Sequence, residues 1–144
     1  MSETLGALDP NAETALALAR RSSEEARLGH IGTEHVLLGL LATRESAAAL
    51  TLGRLGVTLP KVEAELVEQA MTTQRIILSS TMASALAENV FQAARRRADD
   101  AGRPEVNTDD LLLGLMRETD GVAYKVLTEL GVSYEQVAEG LTGA

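Results

Sequence analysis

Apolar positions recur along this chain at helical spacing, and they do so in two passes. In the first pass Ala12, Leu16 and Ala19 share one face of a helix that opens at Asp9-Pro10, an N-cap followed by proline at the first helical position. A second, leucine-rich helix starts at Thr33 within "GHIGTEHVLLGLL". The Thr33 hydroxyl is the expected N-cap, and Glu34 falls in the first turn, where its charge meets the positive end of the helix dipole. A third helix ends in "RLGV", where Gly56 can take the left-handed conformation that closes a helix. Thr58 then caps a fourth, with Pro60 near its start and Val62, Leu66 and Gln69 on one stripe.

The pattern returns in "PEVNTDDLLLGLM". Thr33 aligns with Thr108, an offset of 75 (108 − 33), and holding that offset from 33 through 58 gives ten identities in 26 positions without a gap. Among them are Leu37/Leu112, Gly39/Gly114, Leu52/Leu127 and Gly56/Gly131. The second copy is therefore expected to open a long helix near Ser84, running to about Ala101. Its next helix is expected to be capped by Thr108 with Asp109 in the first turn, its third to close at Gly131, and its last to be capped by Ser133.

These features predict a tandem duplication: repeat 1 over about 9–70, repeat 2 over about 84–142, and a linker over about 71–83. In the linker "TTQRIILSS" has the weakest helical pattern, with Ile76, Ile77 and Leu78 expected to tuck against the core. Either repeat alone would expose an apolar face. The predicted fold is thus all-α, two four-helix repeats packed as one pseudo-twofold, eight-helix domain across 1–144.

Composition narrows the chemistry. With one Phe, two Tyr and no Trp, the core must be built from Leu, Val, Ile and Ala. The absence of cysteine excludes disulfides, thiolate metal sites and cysteine nucleophiles, and it suits a reducing cytoplasm. A net charge of −8 argues against a phosphate-backbone surface and hence against nucleic acid, and Arg95-Arg96-Arg97, followed by Asp99 and Asp100, reads as a solvated helix face. No apolar run approaches the roughly 18 residues of a membrane span, and "MSETLGALDPN" lacks a signal peptide's basic and apolar regions, so a soluble, unprocessed chain is expected.

No phosphate-binding G-x-x-x-x-G-K-[ST], no nucleophile elbow and no H-E-x-x-H is present; His30 and His35 are five apart, outside the register of a helical zinc pair. Neither catalysis nor a cofactor or metal is expected. What remains is the repeated Thr-acid step, Thr33-Glu34 and Thr108-Asp109. Helix capping explains it, and so does a pair of pockets in which each acid receives a cationic group, a guanidinium above all.

"GHIGTEHVLLGLL", the later "GVAYKVLTELGV", and two such units filling residues 9–142 resemble the Clp N-terminal repeat domain, which precedes the ATPase modules of ClpC- and ClpA-class unfoldases. The second unit is the more divergent, "GTEH" having become "NTDD". The resemblance implies a non-catalytic module that binds substrates, adaptors or regulators of a Clp ATPase, and a recognition module of this kind is expected to be monomeric. In parts of the family it also implies binding of phosphoarginine or antibacterial cyclic peptides. The family's phosphoarginine positions carry over to Glu34 and Asp109 for the motif acid, and to Asp9 and Ser84 for a Thr at the start of each long helix. Asp9 departs from that pattern, since a carboxylate repels a phosphate; two like charges about 4 Å apart at an effective dielectric near 20 repel by about 4 kcal/mol. Taken repeat by repeat, the expected sites are Asp9 with Glu34 and Ser84 with Asp109. With no ATPase motif in the 144 residues, the chain is expected to be either a fragment of a longer unfoldase or a free-standing Clp-repeat protein. A free-standing copy would act as an adaptor, an accessory subunit or a decoy for such peptides.

Overall fold

The computed structural model describes residues 4–25, 30–72 and 80–142. These form α1 (Pro10–Glu25), α2 (Thr33–Ala42), α3 (Ala47–Arg54), α4 (Leu59–Thr72), α5 (Ser80–Asp100), α6 (Thr108–Arg117), α7 (Val122–Glu129) and α8 (Tyr134–Thr142). Helix α5 opens at Ser80 rather than near Ser84, so residues 80–83 and 71–72, assigned to the linker by sequence, are helical. Ile76, Ile77 and Leu78 lie outside the described residues.

The helix contacts carry the pseudo-twofold. Within each half α1 lies on α2 as α5 lies on α6; between halves α1 meets α6 as α5 meets α2, α2 meets α7 as α6 meets α3, and α3 meets α8 as α7 meets α4. Helices α2 and α6 touch at the centre and are apolar on most sides, as a helix covered all round must be. Val36, Leu37, Leu40, Leu111, Leu112 and Leu115 have no exposed surface. Each such side chain contributes about 1.5–3 kcal/mol of burial.

Glycine sets how closely the helices approach. A Cβ on Gly39 would collide with the Ala15 carbonyl of α1, and one on Gly114 would lie 2.9 Å from the Val90 carbonyl of α5. The positions correspond in the duplication, 39 + 75 = 114 and 15 + 75 = 90. Helix termini follow the expected punctuation where it is local: Asp9 Oδ1 accepts from Ala12 N–H at 2.8 Å, Gly56 and Gly131 have φ of 84° and 86°, and the Thr58 and Ser133 hydroxyls accept from Lys61 and Gln136 N–H.

The expected caps at Thr33 and Thr108 are displaced by one residue. Gly32 and Asn107 are the N-caps. Asn107 Oδ1 accepts from Asp110 N–H at 3.0 Å, and Asp110 Oδ2 accepts from Asn107 N–H at 2.9 Å, a closed capping box. At the equivalent place His35 Nδ1 accepts from Gly32 N–H at 2.9 Å. This requires the neutral imidazole, and burial pushes the His35 pKa down, with Glu34 opposing and His30 reinforcing.

Thr33, freed from its own helix, works for the other repeat: its hydroxyl accepts from Ala123 N–H at 3.1 Å and so caps α7. In repeat 1 the corresponding helix α3 is capped by its own Ser46, which accepts from Ala49 N–H at 3.1 Å. Position 121 is glycine where 46 is serine, and a Cβ there would lie 2.9 Å from the Thr33 hydroxyl oxygen.

The arginine run is not the solvated face expected of it. Arg95 donates to the Leu5 carbonyl at 2.8 Å and to the Arg103 and Pro104 carbonyls, while Arg97 reaches the buried Asp110 at 3.5 Å. Only Arg96 and the outer flank of Arg97 keep that role.

Two outcomes follow from the packing. Gly39→Ala destabilises the fold by about 1–3 kcal/mol, because overpacking against backbone outweighs the helix-propensity gain, and Gly114→Ala costs less; urea titration measures both. Thr33→Ala costs about 1 kcal/mol, the worth of a cap, and Gly121→Ser added to it recovers most of that loss by installing the Ser46 arrangement. Gly121→Ser alone destabilises, so thermal melts of the three variants are non-additive.

Candidate functional site

The first turns of α2 and α6 present the two motif acids at the second helical position. Glu34 is half-buried, and its carboxylate folds over Gly32, where any Cβ would strike it. The His30 and His35 rings meet edge to face beside it, with centroids 6.2 Å apart.

The second site is more highly charged. Asp110, fully buried, is gripped by Arg103 through two parallel bonds of 2.8 Å. That bidentate pair satisfies Asp110, while its half-buried neighbour Asp109 has no ion pair among the described residues. Burial first, then the Asp110 charge, raise the Asp109 pKa; Arg103 and Arg97 oppose, and Asp9 raises it further.

Asp9 reaches this place through the backbone. Leu8 and Val106 form a parallel bridge in which Asp9 N–H donates to the Val106 carbonyl at 3.0 Å and Val106 N–H to the Ala7 carbonyl at 2.9 Å. The twofold arrangement therefore sets the start of α1 against the loop before α6. Asp9 acts on Asp109, across the two repeats, where a repeat-by-repeat pairing sets it with Glu34. Ser84 is exposed in the second turn of α5, and Thr33 and Thr108 are buried.

Asp110, Arg103 and Asn107 were missed as site-builders. The N-x-x-D spacing of Asn107 and Asp110 is the legible signal of a capping box. Nothing local marks Arg103, six residues beyond Arg97 and across a turn.

Among the described residues no three His, Cys, Asp or Glu side chains are arranged to hold a metal ion. Also among them, no single helix is long and apolar enough to cross a membrane. The pair α2 and α3 passes that test only as a chain bent by 91°; α2 is mostly buried, and α3 buries one face, Ala48, Thr51 and Leu52. What the second site can do is accept positive charge: a guanidinium or ammonium beside Asp109 would relieve its repulsion with Asp9 and Asp110.

Comparison with known proteins agrees with this architecture. Residues 7–142 match the model of the Clp repeat (R) N-terminal domain. The chain is 38% identical over 136 residues to the chaperone protein ClpB of Oceanobacillus iheyensis, covering 93% of this chain and 16% of that protein. The same figures hold for the negative regulator of genetic competence ClpC/MecB of Bacillus subtilis. The chain thus spans about one sixth of the length of these curated relatives. In fold it is similar to the N-terminal domain of the chaperone ClpD from Arabidopsis thaliana, with a TM-score of 0.73 at 21% identity over 93% of this chain and 91% of that one. The Hsp104 N-terminal domain from Candida albicans gives a TM-score of 0.70 at 14% identity over 96% and 90%. The chain belongs to the Clp repeat (R) N-terminal domain family.

Proposed function

We propose that this domain is a non-catalytic recognition module of the Clp unfoldase and protease system, binding protein substrates, adaptors or peptide ligands as a cytoplasmic monomer without a cofactor. The observation that carries the reading is Asp109: a half-buried carboxylate at a helix N-terminus, its pKa raised by burial and by the charges of Asp110 and Asp9, while Arg103 is committed to Asp110. Structural need is met by the Asn107–Asp110 box, so Asp109 is not needed as a cap. Glu34 occupies the equivalent place in repeat 1, since 34 + 75 = 109.

The chemistry favours a cationic side chain, arginine or lysine, presented by a client or adaptor. A phosphoryl group on that cation is disfavoured at the second site, where it would meet Asp9. Phosphoarginine recognition, which the family resemblance implies, falls to Glu34 in repeat 1, the position equivalent to Asp109.

Wild type and Glu34→Ala/Asp109→Ala, both shown to be folded by circular dichroism, are expected to differ in what they retain from lysate by mass spectrometry. The wild type captures a Clp ATPase or a defined client set and the variant loses it; identical captured sets reduce the two acids to helix-dipole residues. Asp109→Asn tests the electrostatics. A carboxyl whose folded pKa is raised binds its proton more tightly when folded, so its contribution to stability falls as pH rises from about 3.8 through the raised value. Asp109→Asn therefore gives a higher Tm than wild type at pH 7 and a flatter stability profile between pH ~4 and ~7. A lower Tm at pH 7 would show that the carboxylate is already compensated.

A further inference from the structure

The twofold repeats the helices but not their charges, and one cleft shows the difference. Where α6 lies against α5, the close approach at Gly114 leaves a cleft of about 220 Å³ floored by Ala93, Leu113 and Gly114 and edged by Arg96, Arg97 and Arg117, with Asp100 the one acid in its lining. Three arginines against one carboxylate give this lining a net charge of +2 (3 − 1) in a chain whose net charge is −8.

Two of the three guanidiniums are held in place. Arg117 sits over the Tyr134 ring, 5.2 Å from its centroid, with its Nη2 3.4 Å from the Tyr134 hydroxyl. Arg97 is tethered by Asp110 at 3.5 Å, yet its side chain remains 43% exposed, and Asp110 is already matched by Arg103. Arg96 is exposed.

The duplication supplies the comparison within the same molecule. Gly39 is the counterpart of Gly114, but Ser22 and Ala42 stand where Arg97 and Arg117 do, and only Arg21 retains the charge of Arg96. Packing of the paired helices therefore does not need these arginines. Arginines at helix C-termini gain from the dipole, which accounts for Arg117 and Arg97 singly. It does not account for three around one opening.

We infer that the α5–α6 cleft is a binding site for a phosphoryl group, distinct from the acidic site at Glu34 and adjoining the one at Asp109 through Arg97. A phosphate monoester carries about −1.5 to −2 charge at neutral pH, which matches the lining, and its three oxygens can engage guanidiniums arriving from different directions. A lone carboxylate offers half the charge and a planar face that one arginine satisfies. The apolar floor takes the stem that bears the phosphate, and the volume admits one such group.

The test is fluorescence anisotropy with a short peptide bearing one phosphoserine, its unmodified and glutamate-substituted counterparts, and inorganic phosphate as competitor. The phosphopeptide is expected to bind with salt-sensitive affinity, the other two at least roughly tenfold more weakly, as charge-assisted bonds require. Arg96→Gln, on the surface and free of fold contacts among those described for the other two arginines, weakens phosphopeptide binding several-fold, and Arg96→Gln/Arg117→Gln abolishes it. Glu34→Ala, in the other repeat, leaves it intact, so this site and the acidic site of repeat 1 stand or fall separately. Displacement by phosphate alone shows that the group is recognised by itself; phosphate without effect assigns the peptide as its bearer. Equal binding of phosphorylated and unmodified peptides, or unchanged affinity in Arg96→Gln with a native circular dichroism spectrum, overturns the inference.

Discussion

Helix α2 can lie against α1 only because position 39 has no side chain, and α6 against α5 because position 114 has none. That backbone approach sets the depth to which the two central helices sink and lets Val36, Leu37 and Leu40 meet Leu111, Leu112 and Leu115 in a core with almost no aromatic bulk. A close-packed interior of small aliphatic residues tolerates little slack, so the glycines fix the geometry that every other contact inherits. The N-terminal turns of α2 and α6 are held at fixed places on the surface for the same reason, and the motif acids with them.

The two halves are also joined by polar contacts that a simple stacking of repeats does not require. Thr33 caps α7, the Leu8–Val106 bridge ties the start of α1 to the loop before α6, and Arg95 holds the segment around Leu5 to the 103–104 turn. Each satisfies backbone groups of one repeat with atoms of the other, and no buried side-chain polar atom among those described lacks a partner. The charged residues divide in the same way. Asp110 is structural, sealed by Arg103 and the capping box, while Asp109 next to it is half-buried with its pKa raised by burial and by the Asp110 charge. Adjacent carboxylates in one turn thus differ: one holds the loop, and the other is the residue to which the proposed function gives a ligand.

The reading as a recognition module and the phosphoryl cleft use opposite signs on different faces of the same helix pair. Acidic turns at the N-terminal end of α6 suit cations; arginines toward the C-terminal ends of α5 and α6 suit anions. A domain with both can orient a partner segment as well as hold it, since exchanging the charges of that segment would set like against like at each end.

Much was written in the chain itself. Helical spacing, the caps at Asp9, Thr58 and Ser133, and the closures at Gly56 and Gly131 depend on residues within a turn of one another, so they are legible without a fold. The duplication and its consequence, a twofold all-α domain, are legible because 75-residue self-similarity needs only counting. What the tertiary structure alone decided is which copy each residue serves. Thr33 has the composition of a cap for its own helix and caps another; Asp9 belongs by sequence with Glu34 and stands by Asp109; Arg97 reads as solvated and reaches Asp110. A twofold axis brings together positions distant along the chain, and side-chain pattern within either repeat has no term for the partner that lies across it.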